Sequence, residues 1–231
     1  MAASGAEHPA HLPVFPLGTV LYPGLGLPLL IFEDRYRAMM RDLLRMPQEQ
    51  RRFGIVAIRE GYEVAVAGVP GRQSSYRIGC EAALVSARRH PDGRFDVETV
   101  GERRFRVQDV HTGGEYVTAD VVLLGEPVGD GAAAAAERAL AAFDSYRHLL
   151  SRHRGGDVMT GELPSEPLAL SYTLAAAIPL TLADRQALLE VPDARSRLAR
   201  LADLIAAEML ALRAVPSLPA TEVARSAWSP N

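Results

Sequence analysis

Short apolar runs broken by Gly, Pro and polar residues fill the first half of the chain, and helical spacing fills the second. Residues 12–17 are apolar around Pro13 and Pro16, which predicts an extended, edge-type strand because proline cannot donate to a central ladder. Residues 19–26 mix Pro23, Gly24 and Gly26 with Val20, Leu21, Tyr22 and Leu25, a turn-rich loop with hydrophobic surface to hide. The run 28–32 is unbroken and too short for a helix, as expected of a strand covered on both faces. Asp34 reads as the N-cap of a helix whose Tyr36, Met40 and Leu43 share one face.

Beyond Arg51 the pattern is β. Strands are expected over 53–58, 62–67, 76–89, 95–100, 105–110 and 116–124, with a polar loop over 69–75. His90-Pro91-Asp92-Gly93 predicts a hairpin turn, and Gly101-Glu102 and Gly113-Gly114 separate later strands. Many short strands and one early helix imply a small closed or nearly closed β-structure, closure being one way to hide strand edges.

At Gly125 the composition shifts through a linker, 125–131, into helices. The alanine run from Ala132 continues through Ala139, Phe143, Tyr146 and Leu150, with Arg152, His153 and Arg154 at the negative end of the dipole and Gly155-Gly156 as the stop. Ser165 is a cap candidate for a second helix with Pro167 in its first turn, ending at Ile178; Thr181 with Asp184 resembles a capping box for a third over 182–191. Asp193 caps a fourth, on which Leu198, Leu201, Ile205, Met209 and Leu212 form a packing stripe. The Pro- and Ser-containing stretch 215–231 and residues 1–10 are expected to be disordered.

Composition narrows the function. A chain of 231 residues with 48% hydrophobic and 23% charged content is long enough to bury a core without staples. A net charge of −3 gives no global attraction to nucleic acid or an anionic membrane. The single cysteine, Cys80, excludes an internal disulfide, and the first ten residues lack a signal-peptide pattern, so a cytoplasmic protein is expected. All 25 basic residues are arginine, which removes chemistry that needs a lysine amine.

Three stretches resemble the amino-terminal domain of the Lon protease family: LPVFPLGTVLYPGLGLPLLIFEDRY from Leu12, GRFDVETVGERRFRV from Gly93, and LAAAIPLTLADRQALLEVPDARSRLARLADLIAAEM from Leu174. The likeness spans residues 11 to 213. It implies an α+β chain, with a PUA-like β-barrel over 11–125 followed by an α-helical bundle over 126–214. In full-length Lon this domain engages protein substrates, and ATPase and peptidase domains follow. A P-loop needs a lysine and the Lon peptidase uses a Ser-Lys dyad, neither of which a lysine-free chain supplies. The resemblance is thus to the recognition module alone, and a stand-alone form is expected. It implies a non-enzymatic module without cofactors that binds unfolded or specific client proteins, as an adaptor or regulator in proteolysis.

Val20, Tyr22, Leu25 and Leu27 are the candidate client contacts if exposed, and a seal for the barrel if not. The rival function is RNA binding, since PUA-like barrels elsewhere bind RNA. Alternation puts Phe105 and Val107 inward and Arg104 and Arg106 outward, and with Arg88 and Arg89 they could line a phosphate stripe unless Asp96 and Glu98 pair with them across the sheet. Gly24 and Gly26 do not open a dinucleotide fingerprint, because Leu29 holds the third glycine position. His8, His11, His90, His111, His148 and His153 show no paired ligand spacing, so no metal site is expected. Cys80, among apolar neighbours on a strand, reads as a buried inert thiol, and no G-x-S-x-G elbow exists.

Overall fold

The computed structural model describes residues 8–59, 75–154 and 162–214. Among these residues one six-stranded sheet and five α-helices make a mixed α and β chain, divided into two units, Met1–Glu126 and Pro127–Asn231.

In the first unit β1 (His8–Leu17) runs parallel to β3 (Arg52–Ala57) and antiparallel to β6 (Thr118–Leu123). From β3 the ladder passes to β4 (Ile78–Arg89) and β5 (Phe95–His111), and β5 pairs with β6. Five strands therefore form a closed ring of pairings, while β2 (Gly26–Ile31) attaches to β5 outside it. The expected barrel is not a clean one, because β2 ends the sheet. β1 begins at His8, inside the stretch expected to be disordered, since its first residues find ladder partners on β6 back to Leu123. The strand expected at 62–67 and most of the loop at 69–75 lie outside the described residues.

Residues 95–100 and 105–110 are one strand, not two. Gly101 does not turn the chain; it lets another segment approach. A Cβ there would lie 2.3 Å from the Tyr22 carbonyl oxygen and 3.0 Å from Cys80 Sγ, so only glycine fits beneath the loop that precedes β2. The true turn is at His90–Gly93, where Gly93 has φ +85° and donates its N–H to the His90 carbonyl at 3.0 Å. α1 (Asp34–Arg45) takes Glu33 rather than Asp34 as its N-cap residue, and lays Tyr36, Met39, Met40 and Leu43 against Phe15, Phe53, Ile55 and Phe95. A second apolar cluster, with Leu12, Val14, Val56, Phe105 and Val121, joins β1, β3, β5 and β6. Each large side chain hidden this way contributes roughly 1.5–3 kcal/mol.

The second unit holds α2 (Ala132–Arg154), α3 (Pro167–Ala177), α4 (Leu182–Glu190) and α5 (Ala194–Ala214). Thr181 caps α4 as expected, its Oγ1 accepting the Asp184 N–H at 3.1 Å, and Asp193 caps α5 by accepting the Ser196 N–H at 2.7 Å. α3 starts after Glu166, without the side-chain cap expected from Ser165. The α5 stripe is buried at Leu198, Leu201, Ile205 and Leu212. Among these apolar positions sits Arg197, fully buried, which donates to Leu188 O, Val191 O and Ser171 Oγ at 3.0 Å each and stacks 4.0 Å over the Tyr172 ring. One planar guanidinium thus ties α3 and the end of α4 to α5.

Removing that fork strands several buried acceptors. Arg197→Ala is expected to cost about 3–5 kcal/mol in urea denaturation of the full chain, and Arg197→Lys to recover less than half of the loss because an ammonium cannot span the same three oxygens.

Candidate functional site

The loop before β2 is folded down onto β5. Gly24 donates its N–H to Gly101 O at 2.8 Å, Gly101 donates back to Leu25 O at 2.9 Å, and Leu25 donates to Tyr22 O at 3.2 Å. Val20, Leu21 and Tyr22 are buried by this docking, whereas Leu25 and Leu27 remain partly exposed. Of the four loop residues singled out from sequence, two seal the core and two reach the surface.

The Gly101–Leu25 bond also fixes the phase of the ladder. Leu25 stands opposite Gly101 in the β2–β5 register, so Leu27, Leu29 and Ile31 point their backbone groups at β5, as the bond from Thr99 Oγ1 to Leu27 O (2.8 Å) agrees. Gly26, Pro28 and Leu30 then aim their backbone groups at the opposite edge, where no described strand pairs with them. Pro28 removes one donor from that edge, as proline tends to on a strand with an open side. Leu30 is 48% exposed and Phe32, just past the strand, 47%. The run 28–32, expected to be covered on both faces, is instead half open. Its apolar character reflects a surface as well as a core.

The arginines are mostly neutralised where they stand. Arg88 lies opposite Asp96 and donates to its Oδ2 at 2.5 Å, and His90 shares the same oxygen at 2.8 Å. Arg88 and then His90 hold the Asp96 carboxyl below the usual carboxylate range. Arg103 bonds Glu81 at 2.9 Å and Arg52 bonds Glu102 at 2.6 Å. Arg104 stands opposite the buried Cys80 in the β4–β5 register and, against the outward position expected of it, is only 2% exposed: the chain leaving β6 gives it Glu126 Oε1 at 2.6 Å and Gly125 O at 3.1 Å as acceptors. Arg104 is therefore not open to solvent. Arg89 and Arg106 are exposed.

Cys80 is fully buried, and burial pushes its thiol well above the ordinary range, so it is inert in the native fold. A mostly apolar cavity of about 50 Å³ is lined by Val14, Val56, Tyr76, Val107 and Val117, with Ser75, Arg77 and Gln108 also on its wall. Sequence spacing missed a further cluster. His11, His111 and Asp120 meet on the outer surface although His11 and Asp120 are 109 positions apart, which no local motif encodes.

A family model described as the ATP-dependent protease La (LON) substrate-binding domain matches residues 11–207. The Lon protease of Escherichia coli (strain K12) is 28% identical over 202 residues, covering 86% of this chain and 25% of that protein. Lon protease 2 of Syntrophobacter fumaroxidans is 27% identical over 199 residues, covering 82% and 23%. The chain thus spans about a quarter of the length of these curated relatives. The crystal structure of a Lon N-terminal domain protein from Xanthomonas campestris superposes with a TM-score of 0.58 at 27% identity, covering 83% of this chain and 96% of that one. The N-terminal domain of Mycobacterium avium complex Lon protease, at 21% identity, shares the fold with a TM-score of 0.59 over 85% of this chain and 98% of that one.

A side chain at position 101 would have to lift the loop. Gly101→Ala is expected to lower stability by about 1–3 kcal/mol and to make Cys80, unreactive toward a thiol reagent in the native protein, label within the assay time; unchanged labelling would mean that the loop does not depend on this contact.

Proposed function

Because this chain belongs to the LON substrate-binding domain family, we propose that it is a non-enzymatic protein-binding module that takes extended apolar segments of client proteins at the open edge of β2. The observation that carries this reading is the coincidence of exposed Leu30 and Phe32 with backbone groups that no described strand satisfies. An unfolded segment offers the complement of both, apolar side chains at every second residue and free N–H and C=O groups, and strand addition joins them in one interaction. Leu25 and Leu27 extend the apolar surface at the near end of the strand, while Val20 and Tyr22 fix the loop from below. Specific folded clients would present such a segment as a terminus or loop.

In this reading the first unit is a PUA-like barrel with an appended strand, the residues from Pro127 to Ala214 are a helical bundle, and the module serves proteolysis as an adaptor or regulator in the cytoplasm. Among the described residues no helix is long and apolar enough to cross a membrane. RNA is the weaker reading, since Arg88 and Arg104 already face carboxylates. Phosphates would have to displace them.

Half-exposed leucine and phenylalanine side chains would each contribute about 1 kcal/mol on full burial. Replacing both with aspartate, Leu30→Asp with Phe32→Asp, is therefore expected to weaken binding of a reduced and alkylated, permanently unfolded protein about thirtyfold in fluorescence anisotropy, with Arg88→Ala and Arg89→Ala without effect. Wild-type affinity in the aspartate variant, or retention of RNA that disappears with the arginine changes, would overturn the reading.

A further inference from the structure

β6 lies between β1 and β5 at the seam of the ring, and three metal-ligating side chains converge there on the outer face. His11 of β1 stands opposite Asp120 of β6. On the other side, β5 slips by one residue between Val107 and Asp109, which places His111 opposite Thr118. Without that bulge the ladder would set His111 opposite Val117, a buried position, so the slip is what turns the imidazole outward toward Asp120.

His11 Nδ1 is 2.7 Å from one oxygen of Asp120, and His111 Nε2 is 2.7 Å from the other. The ring centroids are 5.6 Å apart, and one donor atom from each residue lies within 4.8 Å of the others. All three side chains are about half exposed, so an ion can reach them from solvent.

We propose that His11, His111 and Asp120 form a site for a borderline divalent transition-metal ion of the zinc type. Two imidazole nitrogens with one carboxylate select zinc, copper, nickel or cobalt over magnesium or calcium, which prefer oxygen shells. Bond lengths near 2.0–2.1 Å in tetrahedral geometry require donors about 3.3 Å apart, which falls between the 2.7 Å nitrogen–oxygen contacts and the 4.8 Å that bounds the present cluster, so small side-chain movements reach it. Each ring now donates the N–H of the nitrogen that faces Asp120; on binding, that N–H bond breaks, its proton passes through solvent to the ring's other nitrogen, the freed lone pair coordinates the ion, and water completes the shell. The two hydrogen bonds to Asp120 are replaced by metal–ligand bonds, and with neutral rings the charge of the cluster rises from −1 to +1. The ion bridges β1, β6 and β5, so it stabilises the seam by mass action: at a free concentration about a hundred times Kd the folded-to-unfolded ratio rises about a hundredfold.

The test is calorimetric titration of the chelator-stripped full chain with Zn²⁺, paired with melting curves and with NMR of the imidazole nitrogens. One ion per chain in the micromolar range is expected, with shifts at both His11 and His111. Binding should weaken at least tenfold in His11→Ala, His111→Ala and Asp120→Asn, and the rise in melting temperature with Zn²⁺ should vanish in each. These side chains are exposed, so the metal-free melting temperature should stay near wild type, and the NMR readout needs no variant. Binding only at millimolar ion, undiminished binding in the double histidine variant, or unmoved imidazole signals would overturn the proposal.

Discussion

The approach of the Tyr22 carbonyl to Gly101 is the contact on which the exposed surface depends. It allows the apolar loop to lie flat on β5, closes Cys80 beneath it, and lets Gly101 exchange backbone bonds with Gly24 and Leu25. Those bonds set the phase of β2, and in a strand with a side-chain period of two, phase decides which leucines are hidden. Leu29 and Ile31 turn toward the core while Leu30 faces out. A shift of one residue would exchange them.

Much of the architecture was legible because its signals are local. Thr181 and Asp193 act as caps, the Asp92-Gly93 turn forms, and the α5 stripe is buried where helical spacing puts it. What was not legible depends on partners distant in sequence. Gly101-Glu102 has the composition of a turn, yet the glycine answers to Tyr22, about eighty residues away, and β5 runs straight through. Alternation suggests an exposed Arg104, yet acceptors from the chain after β6 hold it in a buried place. An apolar run such as 28–32 carries no mark that distinguishes a buried central strand from an edge with a sticky face. The histidine cluster needs a bulge, which sequence did not announce.

Charge and apolarity divide the surface of the first unit. Arginines along β3, β4 and β5 are set against Asp96, Glu81, Glu102 and Glu126, either across the sheet or from the chain that follows it. Such pairs add little stability where exposed, but they leave little unbalanced positive charge to draw a polyanion. The apolar surface at Leu30 and Phe32 is not compensated in this way. Pro28 guards the same edge by withholding a donor, which limits indiscriminate pairing while leaving the side chains available.

Amide hydrogen exchange of the full chain, with and without a saturating unfolded client, measures the central claim directly. Strand addition predicts that the Gly26 and Leu30 amides, which point away from β5, exchange quickly in the free protein and at least tenfold more slowly with client, while Leu27 and Leu29 are protected in both states. Protection that appears elsewhere in the chain and leaves the β2 edge unchanged would contradict the account.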